Sequence, residues 1–141
     1  MAMTGIEAVD TSVQKTSIWL KDLMRELNWR SKEKAYSVLR AVLQTIRDRL
    51  TVEESADFSA QLPLVVRGIY YDGWRPSKVP QKFHTKDDFL EHVRMRLKFD
   101  PDIDIEQAVR AVTGVIKTHV SEGQVRKMKG MMPKALAPLW K

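Results

Sequence analysis

Apolar side chains recur along this chain at intervals of three and four residues, the period of a helix with one buried face. Residues 14–28 and 32–50 show this spacing, and so does the stretch 105–120. No segment shows sustained period-two alternation or a hairpin turn, so strands are not required. The pattern predicts an all-α protein whose apolar stripes pack against other helices. The stripes are Leu20, Leu23, Met24 and Leu27; Ala35, Val38, Leu39, Val42, Ile46 and Leu50; and Ile105, Ala108, Val109, Val112, Ile116 and Val120.

The two halves of the chain align without a gap when the sequence is shifted by 70 positions. Apolar residues fall on apolar residues throughout, and Arg40 falls on Arg110. Such self-similarity at one offset is the signature of a duplication. We therefore expect two tandem pseudo-symmetric helical repeats of about four helices each, packed as one compact unit about an approximate two-fold axis.

Each repeat carries the same signals for its last two helices. A capping box opens the third helix, and a proline then interrupts it and fits the first position of a fourth. The fourth helices should end near Tyr71 and Trp140. The signals are Thr51 with Glu54 and Pro63 in the first repeat, and Ser121 with Gln124 and Pro133 in the second.

Gly73 and the prolines that follow it predict a turn and an extended connector between the repeats. The expected organisation is an N-terminal segment (1–12), a first repeat (13–75), a connector (76–84) and a second repeat (85–141).

Composition restricts the function classes. The 141 residues include no cysteine, which excludes disulfides, thiolate catalysis and cysteine-ligated metals. No apolar run approaches a membrane span, and the N-terminus does not resemble a secretory signal, so we expect a cytoplasmic protein without membrane contact. No nucleophile turn, phosphate loop or dinucleotide fingerprint is present, so no enzyme activity and no cofactor is expected.

A metal site is not expected either. The three histidines lack the spacing of a helical zinc site. The acidic run 100–106 resembles the start of a calcium loop, but Ile105 and Ala111 stand where that loop needs glycine and glutamate. The run is better explained as the acidic start of a helix near Ile103.

Aromatic residues and arginines near the connector are candidates for a partner contact, because these residue types anchor protein interfaces. The candidates are Tyr71, Trp74, Arg75 and Arg67. Tyr70 aligns with Trp140, so it is expected to fill the seam between the halves, an alternative that also stays open for Trp74.

The charge is uneven. The chain has 24 basic and 18 acidic residues, and residues 72–141 hold 14 of the basic residues against 9 acidic ones. A one-sided basic patch is typical of phosphate-binding surfaces, but a solvated helix surface with scattered lysines is the favoured explanation. The candidate phosphate contacts are Arg126, Lys127 and Lys129; a second basic group is Arg94, Arg96 and Lys98. Arg40 and Arg110 either brace the fold or bind phosphate. Met128, Met131 and Met132 fill the core or line a ligand cavity.

Several of these segments together resemble the bacterial domain-of-unknown-function family 2267. They include Leu39–Leu43, Arg47–Leu50, Gln61–Pro63 and, most specifically, the run Val66–Pro76. The resemblance continues through Ala108–Val112 to Leu139 and Trp140. It implies an all-helical, duplicated, cytoplasmic bacterial protein with no established activity, among stress-associated genes.

The sequence therefore favours a non-enzymatic helical interaction or adaptor module, whose partner is an unidentified protein or a second copy of the chain. The alternative is sequence-nonspecific nucleic-acid binding through the basic second repeat, and a third reading is a small-molecule carrier.

Overall fold

The structure is a computed structural model that describes residues 3–97 and 102–140. The described residues form helices and no strand, so the all-α prediction is confirmed. The helices are α1 (Glu7–Leu27), α2 (Lys32–Arg49), α3 (Val52–Ser59), α4 (Leu64–Tyr71), α5 (Lys86–Met95), α6 (Ile105–His119) and α7 (Glu122–Met131), with 3₁₀ segments at Pro76–Lys78 and Lys134–Trp140. No helix in these two ranges is both long and apolar enough to cross a membrane.

Helix α1 begins seven residues before the predicted start, inside the expected N-terminal segment. Its first residue is Glu7, and no side chain caps the helix at Ile6. The carboxylate of Asp10 instead accepts hydrogen bonds from the backbone N–H groups of Thr4 and Gly5, at 3.1 and 3.2 Å. It also accepts one from the Thr4 hydroxyl at 2.9 Å. These bonds fold the preceding turn back onto the helix, which explains the earlier start.

Side-chain caps set the starts of most of the other helices. The capping box of Thr51 and Glu54 is confirmed, with both reciprocal hydrogen bonds present. The box at Ser121 is only half formed, because the Ser121 backbone N–H donates to Gln61 Oε1 in the first half at 3.0 Å. A contact between the halves therefore replaces the local bond.

The prolines act differently from the prediction. Pro63 is the N-cap residue of α4 rather than its first helical residue. After Pro133 the chain forms a 3₁₀ helix with Pro138 inside it, not a fourth α-helix. A proline in a helix interior removes a donor and clashes with the preceding turn, so a regular α-helix is disfavoured there. The segments still end at Tyr71 and Trp140, as expected.

Helix α2 lies at the centre of the packing. It contacts α1, α4, α5 and α6, and every residue from 41 to 48 is buried. Helix α1 packs on α6 of the other half, and α2 packs on α5, so one hydrophobic cluster draws on both halves. Met128 and Met132 are buried in this cluster and Met131 packs against it, as the core alternative predicted.

Burial of α2 places a charged pair inside the protein. Asp48 Oδ1 accepts a hydrogen bond from Arg47 Nε at 2.9 Å. The second carboxylate oxygen of Asp48 accepts one from Arg96, which follows the last residue of α5. The side chains of Arg47 and Asp48 are only 4% and 8% exposed. Removing one partner from such a buried pair leaves an uncompensated charge.

The same region closes the C-terminal end of α4. Gln44 Nε2 donates to the carbonyls of Ile69 and Asp72, at 2.9 and 3.2 Å. Arg47 Nη1 donates to the carbonyls of Tyr70 and Asp72, each at 3.0 Å. These four bonds satisfy carbonyls that a helix end otherwise leaves without partners.

Tyr70 is fully buried, and its described contacts lie in the first half. Its ring packs edge-on against Phe58 and Tyr71, and its hydroxyl shares a 2.9 Å hydrogen bond with that of Ser55. Burial raises the pKa of the Tyr70 phenol well above its ordinary value. Tyr70 is thus a core residue, and it belongs to the hydrophobic cluster that draws on both halves.

We expect Asp48→Asn to lower the free energy of unfolding by about 3–5 kcal/mol, because two buried or half-buried guanidiniums lose their counter-charge. Asp57→Asn is the matched control: it breaks the exposed ion pair of Asp57 with Lys127, and should cost under about 1 kcal/mol. Urea denaturation of both variants measures the difference. Equal losses would mean that the Asp48 pair contributes no more than a surface pair.

We also expect Tyr70 to make the stability depend on pH in alkali. Its folded pKa is raised, so its contribution is complete below about pH 10 and is lost as the unfolded chain ionises above that value. The free energy of unfolding should therefore fall more steeply between about pH 9 and pH 11 in the wild type than in Tyr70→Phe. Parallel curves in urea denaturation would contradict this.

Candidate functional site

A cleft of about 210 Å³ lies where α2, the segment after α4 and the end of α5 meet. We call it the connector cleft. Its lining carries more positive than negative charge: two carboxylates, Asp48 and Asp72, stand against five cations. The cations are Arg40, Arg47, Arg75, Lys78 and Arg96.

The local sequence explains how these groups converge. Residues 40, 44 and 47 are spaced by four and three, so they share one face of α2. Gly73 has a φ of 77°, a backbone conformation that favours glycine and turns the chain after α4. The following 3₁₀ turn presents Arg75 and Lys78, both exposed. The Gln81 N–H then donates to the Asp48 carbonyl at 2.6 Å, which attaches the connector to α2.

Arg96 joins the cleft to the buried pair. Its guanidinium donates to Gln44 Oε1 at 2.9 Å and to the Asp48 carboxylate. Burial lowers the pKa of Arg96; Asp48 raises it, and the like charges of Arg47 and Arg40 lower it again. The net lowering of the Arg96 pKa therefore comes chiefly from burial, and the neighbouring guanidiniums of Arg47 and Arg40 add to it.

The structure divides the candidate partner contacts between two places. Arg67 donates to the carbonyls of Ser59, Ala60 and Leu62, at 3.0 to 3.3 Å, so it caps the end of α3. The Tyr71 hydroxyl bonds that of Ser59 at 2.7 Å. Both side chains therefore hold α3 and α4 together.

Trp74 and Arg75 lie nearer the cleft. The Trp74 ring packs against that of Tyr71, 4.9 Å between centroids, and its Nε1 is buried with no hydrogen-bond partner among the described residues. Only Arg75 of the four candidates lines the connector cleft.

A larger groove of about 900 Å³ runs between α1 and the α3–α4 junction. We call it the α1 groove. The buried side chains of Trp19 and Leu62 line it, and Ile18 and Leu64 are about half exposed beside them. Arg67 also lines this groove, as does His119, which stacks on Trp19 and bonds Asp22 at 2.6 Å.

The candidate phosphate contacts lie on α7, away from both depressions. Arg126 and Lys129 are exposed, whereas Lys127 Nζ bonds Asp57 at 2.6 Å. In the second basic group, Lys98 lies outside the described residues, Arg94 is 3.7 Å from Glu91, and Arg96 lines the connector cleft. All three α7 candidates are thus exposed, and Arg126 also lies 4.0 Å from Glu122 of the same helix.

The other candidate chemistry has structural explanations. Among residues 3–97 and 102–140, no group of three or more metal-ligating side chains is close enough to hold an ion. Asp104 caps α6 by accepting from the Gln107 N–H at 3.0 Å, in agreement with an acidic helix start, although α6 begins at Ile105. Asp100 and Pro101 of the acidic run lie outside the described residues. Arg40 and Arg110 do not act alike: the first is 3.5 Å from Asp72, the second 3.0 Å from Glu106 in its own helix.

Sequence reasoning missed Gln44, Arg47 and Asp48 as site residues. One signal in the sequence could have indicated them. Polar and charged side chains interrupt the apolar pattern around Ile46, with Gln44 before it and Arg47 and Asp48 after it. The apolar stripe alone suggested that these residues lie on the solvent side. The partners that make their burial tolerable are distant in sequence, so spacing could not reveal them.

The comparison with protein families gives one result. No curated protein sequence is significantly similar to this chain. The sequence profile of the family described as uncharacterized conserved protein, DUF2267, matches residues 16–139, which is nearly the whole chain. The match includes the whole connector cleft and the α1 groove except for the lining residues before position 16. The chain belongs to the uncharacterised conserved protein family DUF2267.

Proposed function

We propose that this protein is a non-enzymatic interaction module that binds an acidic amphipathic helix of a partner protein in the α1 groove. One observation carries the proposal: Ile18 and Leu64 are 47% and 54% exposed beside a groove that buried apolar residues line. Large aliphatic side chains grouped around a concave surface are typical of helix-binding grooves.

Charge favours an acidic partner. The chain carries a formal net charge of +6, and Lys15 and Arg67 line the groove together with one carboxylate, that of Glu7. Opposite net charge accelerates association and excludes basic segments. The proposal includes a bacterial, cytoplasmic and stress-associated setting, for which the support is the family resemblance and the absence of cysteine.

We further propose that the two halves are copies of one unit, related by an approximate two-fold axis. Equivalent contacts support this: Arg47 donates to the Tyr70 carbonyl, and Lys117, at the same position of the second half, donates to that of Trp140 at 2.7 Å. Asp57 and Lys127 are also separated by 70 positions, and they bond each other. Equivalent residues meet in this way only near a two-fold axis.

The groove proposal predicts that Leu64→Glu weakens peptide binding by about tenfold or more, because a buried leucine contributes roughly 1.5–3 kcal/mol. The probe is a labelled amphipathic helical peptide with a leucine stripe and a glutamate face, followed by fluorescence anisotropy. Val52→Glu is the matched control, since Val52 is 45% exposed but does not line the groove.

Equal weakening by both variants would contradict the groove as the site. Equally tight binding of the same peptide with lysines in place of glutamates would contradict the acidic partner. Sedimentation of the wild type and of Leu64→Glu tests whether a second copy of the chain occupies the groove instead. If the wild type is a dimer and Leu64→Glu is a monomer, the groove belongs to that second copy and the proposal is overturned.

The second candidate function is sequence-nonspecific nucleic-acid binding through α7, favoured by the exposure of Arg126 and Lys129. If it holds, Arg126→Gln with Lys129→Gln should weaken binding of a DNA duplex and flatten its salt dependence between about 50 and 200 mM, because fewer counterions are released. Anisotropy of a labelled duplex measures both. An unchanged salt slope would exclude α7 as the contact.

A further inference from the structure

The connector cleft holds cations that the fold itself does not need. In the second half, Lys117 alone donates to the Trp140 carbonyl, and Thr113 donates to that of Leu139 at 2.7 Å. Within the described part of the chain, no carboxylate and no second cation is hydrogen-bonded to these two carbonyls. In the first half the same task falls to Gln44 and Arg47, and Arg96 pairs with Asp48. Arg40, Arg75 and Lys78 line the same cleft in addition.

The cations of the cleft form two groups. Arg47 and Arg96 share the carboxylate of Asp48, and we call the remaining three, Arg40, Arg75 and Lys78, the open group. Asp48 is hydrogen-bonded to both Arg47 and Arg96, so its charge is shared by two guanidiniums. Among the described residues of the lining, the one other carboxylate is that of Asp72, 71% exposed and 3.5 Å from Arg40. Asp72 thus supplies one negative charge against the three remaining cations Arg40, Arg75 and Lys78, so the described lining keeps an excess of positive charge.

Several features hold the open group in position. Arg40 extends from the central helix α2, while Arg75 and Lys78 belong to the turn that Gly73 permits and that Gln81 attaches to Asp48. Arg96, which neutralises Asp48, borders this group and is fixed by two hydrogen bonds. Because the fold already orders the backbone that carries these cations, less conformational entropy is lost when they bind an anion.

The dimensions of the cleft indicate the kind of anion. A volume of about 210 Å³ accommodates one tetrahedral oxyanion with a small substituent, but not a nucleic-acid strand. Strand-binding proteins present their cations along an extended groove with stacking aromatics, whereas here the cations gather around one point. Arginine is the residue best suited to phosphate, because its planar fork donates two parallel hydrogen bonds.

We propose that the connector cleft binds a phosphoryl group, as free phosphate or as the monoester of a small molecule, with Arg40, Arg75 and Lys78 as its contacts. The proposal is independent of the α1 groove, since the two depressions share no lining residue.

Calorimetric titration with inorganic phosphate and with phenyl phosphate tests the proposal. The titrations are run at about pH 8, where both ligands are dianions, and chloride keeps the ionic strength constant. Arg75→Gln with Lys78→Gln should raise the dissociation constant about tenfold or more, because two charge-assisted hydrogen bonds are lost. Arg126→Gln with Lys129→Gln removes the same net charge from exposed positions elsewhere, and should change the constant less than about twofold.

The two ligands distinguish the sources of the phosphoryl group. Tighter binding of phenyl phosphate would indicate a monoester, and binding of inorganic phosphate alone would indicate the free ion. Arg40→Gln provides a third, independent variant on a different element, and it should weaken the binding of whichever ligand is held. Circular dichroism of every variant checks that the helices are retained.

Three outcomes would overturn the proposal. The first is no heat of binding for either ligand up to about 10 mM, which leaves no specific site. The second is equal weakening by the two double variants, which would mean diffuse attraction to a basic protein. The third is binding of a DNA duplex that Arg75→Gln with Lys78→Gln abolishes and phosphate does not displace, which would assign the cleft to a nucleic-acid backbone.

Discussion

The carboxylate of Asp48, held between Arg47 and Arg96, is the interaction on which the arrangement of this protein depends most. It lies on the central helix, where water cannot solvate it, so its charge requires both guanidiniums. One comes from the adjacent residue and the other from beyond α5, in the other half of the chain. The Asp48 carbonyl also receives the connector through Gln81. A single residue thus joins α2, the connector and α5, and any shift of these elements would separate buried charges.

This buried network also accounts for the connector cleft. Arg47 and Gln44 turn inward to close α4, and the chain that leaves α4 must then turn at Gly73, which brings Arg75 and Lys78 over the end of α2. The connector cleft is a consequence of that geometry. The α1 groove arises on another side, where the turn between α3 and α4, capped by Arg67, stays apart from α1. Neither surface depends on the other, so one chain can present an apolar and a cationic site.

Much of the architecture could be predicted from local pattern. The stripe of α2 and that of α6 identified the two helices with the most buried apolar residues, and Thr51 with Glu54 marked the start of α3. Predictions failed where a side chain outside the periodic pattern determines a helix end or type. Asp10 extends α1, Gln61 takes the backbone N–H of Ser121, and Pro138 converts the expected last helix to a 3₁₀ segment. Of the predicted contacts, Arg67 and Tyr71 proved to stabilise α3 and α4, because their partners are carbonyl and hydroxyl groups that carry no sequence signal.

The sequence by itself determined the class of the fold, the approximate extent of the helices and the family, because helical periodicity, caps and prolines act within a few residues. Only the tertiary structure decided which charged side chains are buried and which converge. Arg96 and Asp48 are 48 positions apart, and Asp57 and Lys127 are 70 apart, yet both pairs are in contact. Their proximity follows from helix packing, which is set by the summed burial of many apolar side chains and not by any local motif. For that reason the connector cleft could not be read from the order of its residues.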